Sequence, residues 1–156
     1  MRFRLADLAV ALLFVAVASP ADAQTIVADL PVPSGGTERA AFFAAAQGHA
    51  TVVLLAGGEG IVMIDNAGNT GNTNFLIRTR MMWLPYGINA VILGSPDGRS
   101  LIGQRSQPAY AAALGVAVDF ARARGNAPVW LMVPARALLP PPTALRISVA
   151  GSLASS

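Results

Sequence analysis

Gly57-Gly58-Glu59-Gly60 is the first place in the chain where residue type and spacing suggest chemistry: three glycines in four positions, directly after the apolar run Ala50 to Ala56. Glycine lets backbone come close to a ligand and turn an N–H toward it, and a buried strand that ends in such a loop leaves donors unpaired at its carboxyl end. Two nucleotide-binding readings fail on the residues. A dinucleotide fingerprint needs a third glycine at fixed spacing, a helix at once and an acidic residue about twenty positions on, and a phosphate loop needs a lysine. Donation of backbone N–H groups to an oxyanion that develops during acyl transfer fits the pattern, with a plain tight turn as the alternative.

The other candidates are sparse. Ser95 and Asp97, in Gly94-Ser95-Pro96-Asp97-Gly98, follow an apolar run and are placed to line a ligand crevice, although turn chemistry alone accounts for both. Ser106 reads as a helix N-cap. His49 is the only histidine and falls in Gln47-Gly48-His49, where an exposed turn residue is expected. With no cysteine and no cluster of carboxylates around that histidine, the spacing expected of a metal site is missing, and no cofactor is implied. No catalytic residue is assigned, and beyond Met132 there is no Asp, Glu or His.

The elements that must position these groups follow from periodicity. Thr25 to Leu30 suits a first strand, closed by Pro31, Pro33 and the Ser34-Gly35-Gly36 turn. Glu38 to Ala46 carries both helix and strand signals, and its place between two strands favours a short strand. Residues 51–56, 88–93 and 127–132 are short apolar runs of the kind buried on both faces of a sheet. Between them, residues 73–84 show apolar positions three and four apart, with Arg78 and Arg80 on the wet side, and 107–124 carries Tyr110, Leu114, Val118 and Ala121 on one stripe. Strand, helix, strand, helix, strand predicts an α/β domain with a mainly parallel sheet and crossover helices, Gly57–Gly60 lying at its carboxyl edge.

Composition narrows the function classes. The net charge is +3, with eleven basic residues, all arginine and all dispersed, which is not the clustered patch that nucleic acid selects. Met1-Arg2-Phe3-Arg4, the apolar stretch Leu8 to Ala18 and Ala21-Asp22-Ala23 have the layout of a signal peptide cut before Gln24. The apolar segment is shorter than the ~20 residues of a membrane span. The expectation is an exported protein, periplasmic or secreted, with no stable membrane span after cleavage. Residues 24–132 form one domain, and 133–156, with Pro140-Pro141-Pro142 and no sustained period, form an irregular tail.

In the order and spacing of its pieces the chain resembles the N-terminal half of the bacterial exported α/β-hydrolases: "ATVVLLAGGEG", "GNTNFLIRTRMMW", "INAVILGSPDG", the helix ending "ARARG" and "APVWLM". The resemblance covers about Thr25 to Met132. It implies a partial α/β-hydrolase fold, a small-molecule acyl substrate (ester, amide or similar) and oxyanion donors at Gly58 and Glu59. It also implies a nucleophile elbow, G-x-S-x-G, directly after the strand at 127–132, followed by an acid and a histidine. Here the next residues are Val133-Pro134-Ala135-Arg136-Ala137, so the nucleophile is missing. The expectation is a hydrolase relative that is inactive as written; the alternative is a non-catalytic exported binding or interaction protein.

The genetic code offers a reason for the break. Met132 is ATG and Val133 begins GT, so the triplet shifted back by one base is GGT, glycine. In that frame Pro134 to Ala137 permit Ala-Ser-Ala-Gly, completing G-A-S-A-G, and the codons after them permit a small-residue helix and an apolar strand. A frameshift near codon 132 would leave 133–156 as an out-of-frame tail on a truncated hydrolase. It would also leave the apolar strand at 127–132 as a bare sheet edge, open to self-association.

Overall fold

The computed structural model describes residues 24–125 and 128–134; the expected signal peptide and most of the tail lie outside them. The strands are β1 (Thr25–Pro31), β2 (Thr37–Phe43), β3 (Ala50–Leu54), β4 (Ile88–Leu93) and β5 (Val129–Met132); the helices are α1 (Phe75–Arg78) and α2 (Pro108–Gly125), with 3-10 turns at Arg80–Tyr86 and Pro96–Gly98. The sheet order is β1-β2-β4-β3-β5. β3 pairs in parallel with β4 on one side, Val53 opposite Val91, and with β5 on the other, Val53 opposite Leu131.

The sheet is mixed, and this corrects the expected mainly parallel sheet with crossover helices. β1 and β2 are antiparallel from Thr25 opposite Phe43 to Pro31 opposite Thr37, and β2 is antiparallel to β4. The cause is the connection. Residues 32–36 form a tight turn in which Gly35 N–H donates to Val32 O (2.9 Å), and so short a link can only reverse the chain, since a parallel return needs a dozen residues or more.

The first helix is also shorter than the pattern predicts. Only four residues of the 73–84 segment are α-helical. Asn74 caps them, its Oδ1 accepting from Leu76 N–H at 3.1 Å. Thr79 Oγ1 then donates back to Leu76 O (2.8 Å), and Pro85, which has no N–H to give, sits in the 3-10 turn that follows. Met81 and Met82, placed on the apolar stripe by spacing, are exposed, whereas Leu76 and Ile77 are buried. α2 begins at Pro108, pre-shaped for a first helical position, so Ser106 lies before the helix and is not its N-cap.

Two apolar layers hold the sheet. α2 covers one face, where Leu114, Ala117 and Ala121 meet Phe42, Val53, Val91 and Leu93. On the other face Leu76 and Ile77 of α1, with Val62 and Ile64 of the preceding loop, cover Phe43, Leu54, Ala90 and Ile92. At the amino end of β3 and β4 the core is polar but satisfied: Asn89 Oδ1 accepts from Ala45 N–H (2.9 Å) and its Nδ2 donates to Thr51 Oγ1 (3.2 Å). α2 reaches this point closely enough that a β-carbon on Gly125 would overlap Thr51 Oγ1.

Asn89 thus ties β4 to β3 and to the chain leaving β2. Asn89→Ala strands a buried N–H and a hydroxyl and should cost about 2 kcal/mol in urea unfolding, whereas the exposed Arg99→Ala should shift the midpoint hardly at all.

Candidate functional site

The parallel pairing of β3 with β5 brings the loops that follow them together. Leu55 N–H donates to Met132 O at 3.0 Å, just past the last paired residues, so the glycine loop and Val133-Pro134 leave the sheet side by side. A β-carbon on Gly57 would sit 2.9 Å from Pro134 Cγ and 3.4 Å from Asn74 Nδ2. Glycine is required there by crowding, and at Gly58 by its φ of +60°.

Three contacts shape the loop. Gly60 N–H donates to Gly57 O (3.1 Å), and Leu101 N–H donates to Glu59 O (2.7 Å). Arg105, from the loop before α2, forks across it: Nη1 donates to Gly58 O at 2.6 Å and Nη2 to Ala56 O at 3.1 Å. The N–H groups of Gly57, Gly58 and Glu59 have no acceptor among the described residues. A hollow of about 360 Å³ opens beside them, lined by Gly57 to Ile61 and by Asn72, Thr73 and Asn74. Asn74 holds α1 with its Oδ1, which leaves its Nδ2 as a further donor near Gly57. Glu59 is exposed and is the only charged residue in this lining.

Asp97 and Ser95 do not join that hollow. Asp97 lies in left-handed backbone (φ +50°), and its Oδ1 accepts from Thr37 N–H at 3.0 Å, locking the turn after β4 onto the start of β2. It lines a separate hollow of about 590 Å³ with Ser34, Arg99, Gln104, Gln107 and Tyr110. Ser95 is buried, and its Oγ has no hydrogen-bond partner among the described residues. His49 is exposed, and its backbone N–H donates to Gly87 O (2.8 Å), far from either loop in the sheet, at the amino end of β3 and β4. Among the described residues no three His, Cys, Asp or Glu side chains gather as metal ligands, and no helix is long and apolar enough to cross a membrane.

Glu38 is the least expected polar group. It is 1% exposed at the start of β2, on the face that α2 covers, and its Oε2 has no partner among the described residues. Continuing the register beyond Ala40 opposite Leu93, which Gly94 N–H to Arg39 O (2.7 Å) supports, sets Glu38 across from Ser95. Burial pushes the Glu38 carboxyl from 4.5 up to about 7. Burial also pushes the Tyr110 phenol up to about 12; the Glu38 charge adds to that rise and Arg105 opposes it.

Sequence reading missed Glu38, Asn74 and Arg105. Asn74 carried a usable signal, an asparagine directly before an apolar helical segment. Glu38 and Arg105 carried none, because what matters in each, burial for Glu38 and two carbonyl partners for Arg105, is set by tertiary packing. Compared with known proteins, the sequence matches no family model and no curated protein.

Glu38 gives the stability a definite pH dependence. With a folded value near 7 and an unfolded value near 4.5, the native state holds more protons between those limits, so the contribution of Glu38 to stability is full below about pH 4.5 and is lost as pH rises through 7. The loss from this one group is on the order of 3 kcal/mol. Glu38→Gln should flatten the curve between pH 5 and 8 in urea titrations and be the more stable protein at pH 8; an unchanged slope would show that Glu38 titrates normally.

Proposed function

We propose that this chain is an exported relative of the serine acyl hydrolases that has kept the oxyanion half of the site and lost the nucleophile half. One observation carries the reading: the glycine loop after the third strand, whose Gly57, Gly58 and Glu59 N–H groups have no acceptor among the described residues, lies against the residues that follow β5. Serine-dependent acyl hydrolysis needs that adjacency, because the nucleophile attacks a carbonyl whose oxygen those N–H groups receive. Val133 and Pro134 stand where the first two residues of the elbow belong, and the chain has Ala135 where its serine would be. In a frame shifted at codon 132 that third position carries the serine of G-A-S-A-G. The substrates of such a frame-restored protein are small esters or amides.

The full chain should neither hydrolyse a chromogenic short-chain ester nor form a covalent adduct with a serine-reactive phosphonate. A gene with the frame restored from codon 132 should do both. Coding DNA that does not spell G-A-S-A-G in the shifted frame, or a restored protein inert to both reagents, would overturn the reading.

The non-catalytic alternative draws on β5. It lies at the end of the sheet order, its Trp130 is 64% exposed, and among the described residues its outer edge has no partner strand. An apolar edge of that kind recruits another chain. Sedimentation should show a monomer fraction that falls with concentration, and Trp130→Lys, a charge on the edge, should restore it; a wild type that stays monomeric throughout would contradict this.

A further inference from the structure

We propose that Arg105 is a positioning residue for the glycine loop: its guanidinium, by holding the carbonyls of Ala56 and Gly58, aims the N–H groups of Gly57 and Glu59 at one point in the hollow beside Asn74. The step from the observed contacts is peptide geometry. A trans peptide is planar, with its C=O and the following N–H pointing in opposite directions. The carbonyls of Ala56 and Gly58 both face Arg105, at 3.1 Å and 2.6 Å, so the N–H groups of the same two peptide units, Gly57 and Glu59, both face away from it. Gly58 between them has a φ of +60°, which glycine takes without strain and an L side chain rarely adopts.

Only an arginine does this with one side chain. The two carbonyls are taken by two different nitrogens of one rigid fork, whereas a lysine ammonium is a single point charge. The bonds are charge-assisted, and a cation at the carbonyl end of a peptide polarises its N–H toward the other side. A developing oxyanion in the hollow would therefore meet two strengthened donors, with Asn74 Nδ2 as a third close by. Arg105 itself touches no ligand and acts through the loop. Leu101 N–H, bonded to Glu59 O, holds the next peptide and does not substitute for it.

That the ligand is an acyl carbonyl rests on the hydrolase reading; the role of Arg105 in aiming the amides does not. The test therefore uses the chain as it stands, ¹⁵N-labelled and dilute, with residual dipolar couplings as the readout of N–H direction. In wild type the Gly57 and Glu59 couplings should fit the same alignment as core amides such as Val53, Val91 and Leu114. Arg105→Met should move both loop couplings off that fit and leave the core ones on it, and Arg105→Lys should lose one orientation and keep the other. Gly58→Ala, which meets no atom within 4 Å but is strained at positive φ, should disturb Glu59 and keep Gly57. Loop couplings that stay on the fit in Arg105→Met, or in Arg105→Lys and Gly58→Ala if the methionine variant does not fold, would overturn the proposal. A restored enzyme without esterase activity would leave these couplings as they are, so the two readings fail separately.

Discussion

The structure depends on one strand having parallel partners on both sides. β3 is buried because β4 and β5 each pair with it, through Thr51 N–H to Pro128 O (2.9 Å) at one end of the β5 ladder and Leu55 N–H to Met132 O (3.0 Å) at the other. Two parallel ladders on one strand align three carboxyl ends. Everything of chemical interest lies at that edge: the glycine loop after β3, Ser95 and Asp97 after β4, Val133 and Pro134 after β5. β2 runs the other way, so its beginning is at the same edge, which is why Glu38 arrives there.

Polar groups at that edge are under-satisfied. Glu38 Oε2, Ser95 Oγ and Arg105 Nε are buried without partners among the described residues, as are Arg39 Nε, Arg80 Nε and Trp83 Nε1, whereas Asn89 and Thr51, at the other end of the sheet, bond to one another. Unpaired polar groups buried together cost stability, and folds keep them where a site needs them or once did. The glycine loop is held from behind by a cation and open in front. Such a cradle would stabilise negative charge in a reaction, yet the neighbouring Pro134 has nothing with which to start one.

Much of this was legible in the sequence, and the failures share a physical cause. Apolar runs such as Val52 to Leu55 and Ala90 to Leu93 announce buried strands because a segment enclosed on both faces excludes polar residues. The same runs say nothing of strand direction. β1 and β2 had to be recognised as a hairpin from the Pro33 to Gly36 turn, whose shortness forbids the parallel alternative. Residues 73–84 show helical spacing, but Thr79 and Pro85 break the helix by local bonding that an apolar pattern does not register. Glycines 57, 58 and 60 were conspicuous because their role is in the backbone. Arg105 was not, since an arginine in a polar loop looks the same whether it is solvated or holding two carbonyls.

The turn after β5 lies against the glycine loop after β3. The nuclear Overhauser contact between the Gly57 α-protons and the Pro134 ring protons measures it directly. The structure predicts a strong contact, since a β-carbon at Gly57 would stand 2.9 Å from Pro134 Cγ. Absence of that contact in a chain whose Val53 and Val91 amides still show the parallel β3–β4 pairing would mean that β5 docks elsewhere, and the account of a hydrolase site without its nucleophile would fall with it.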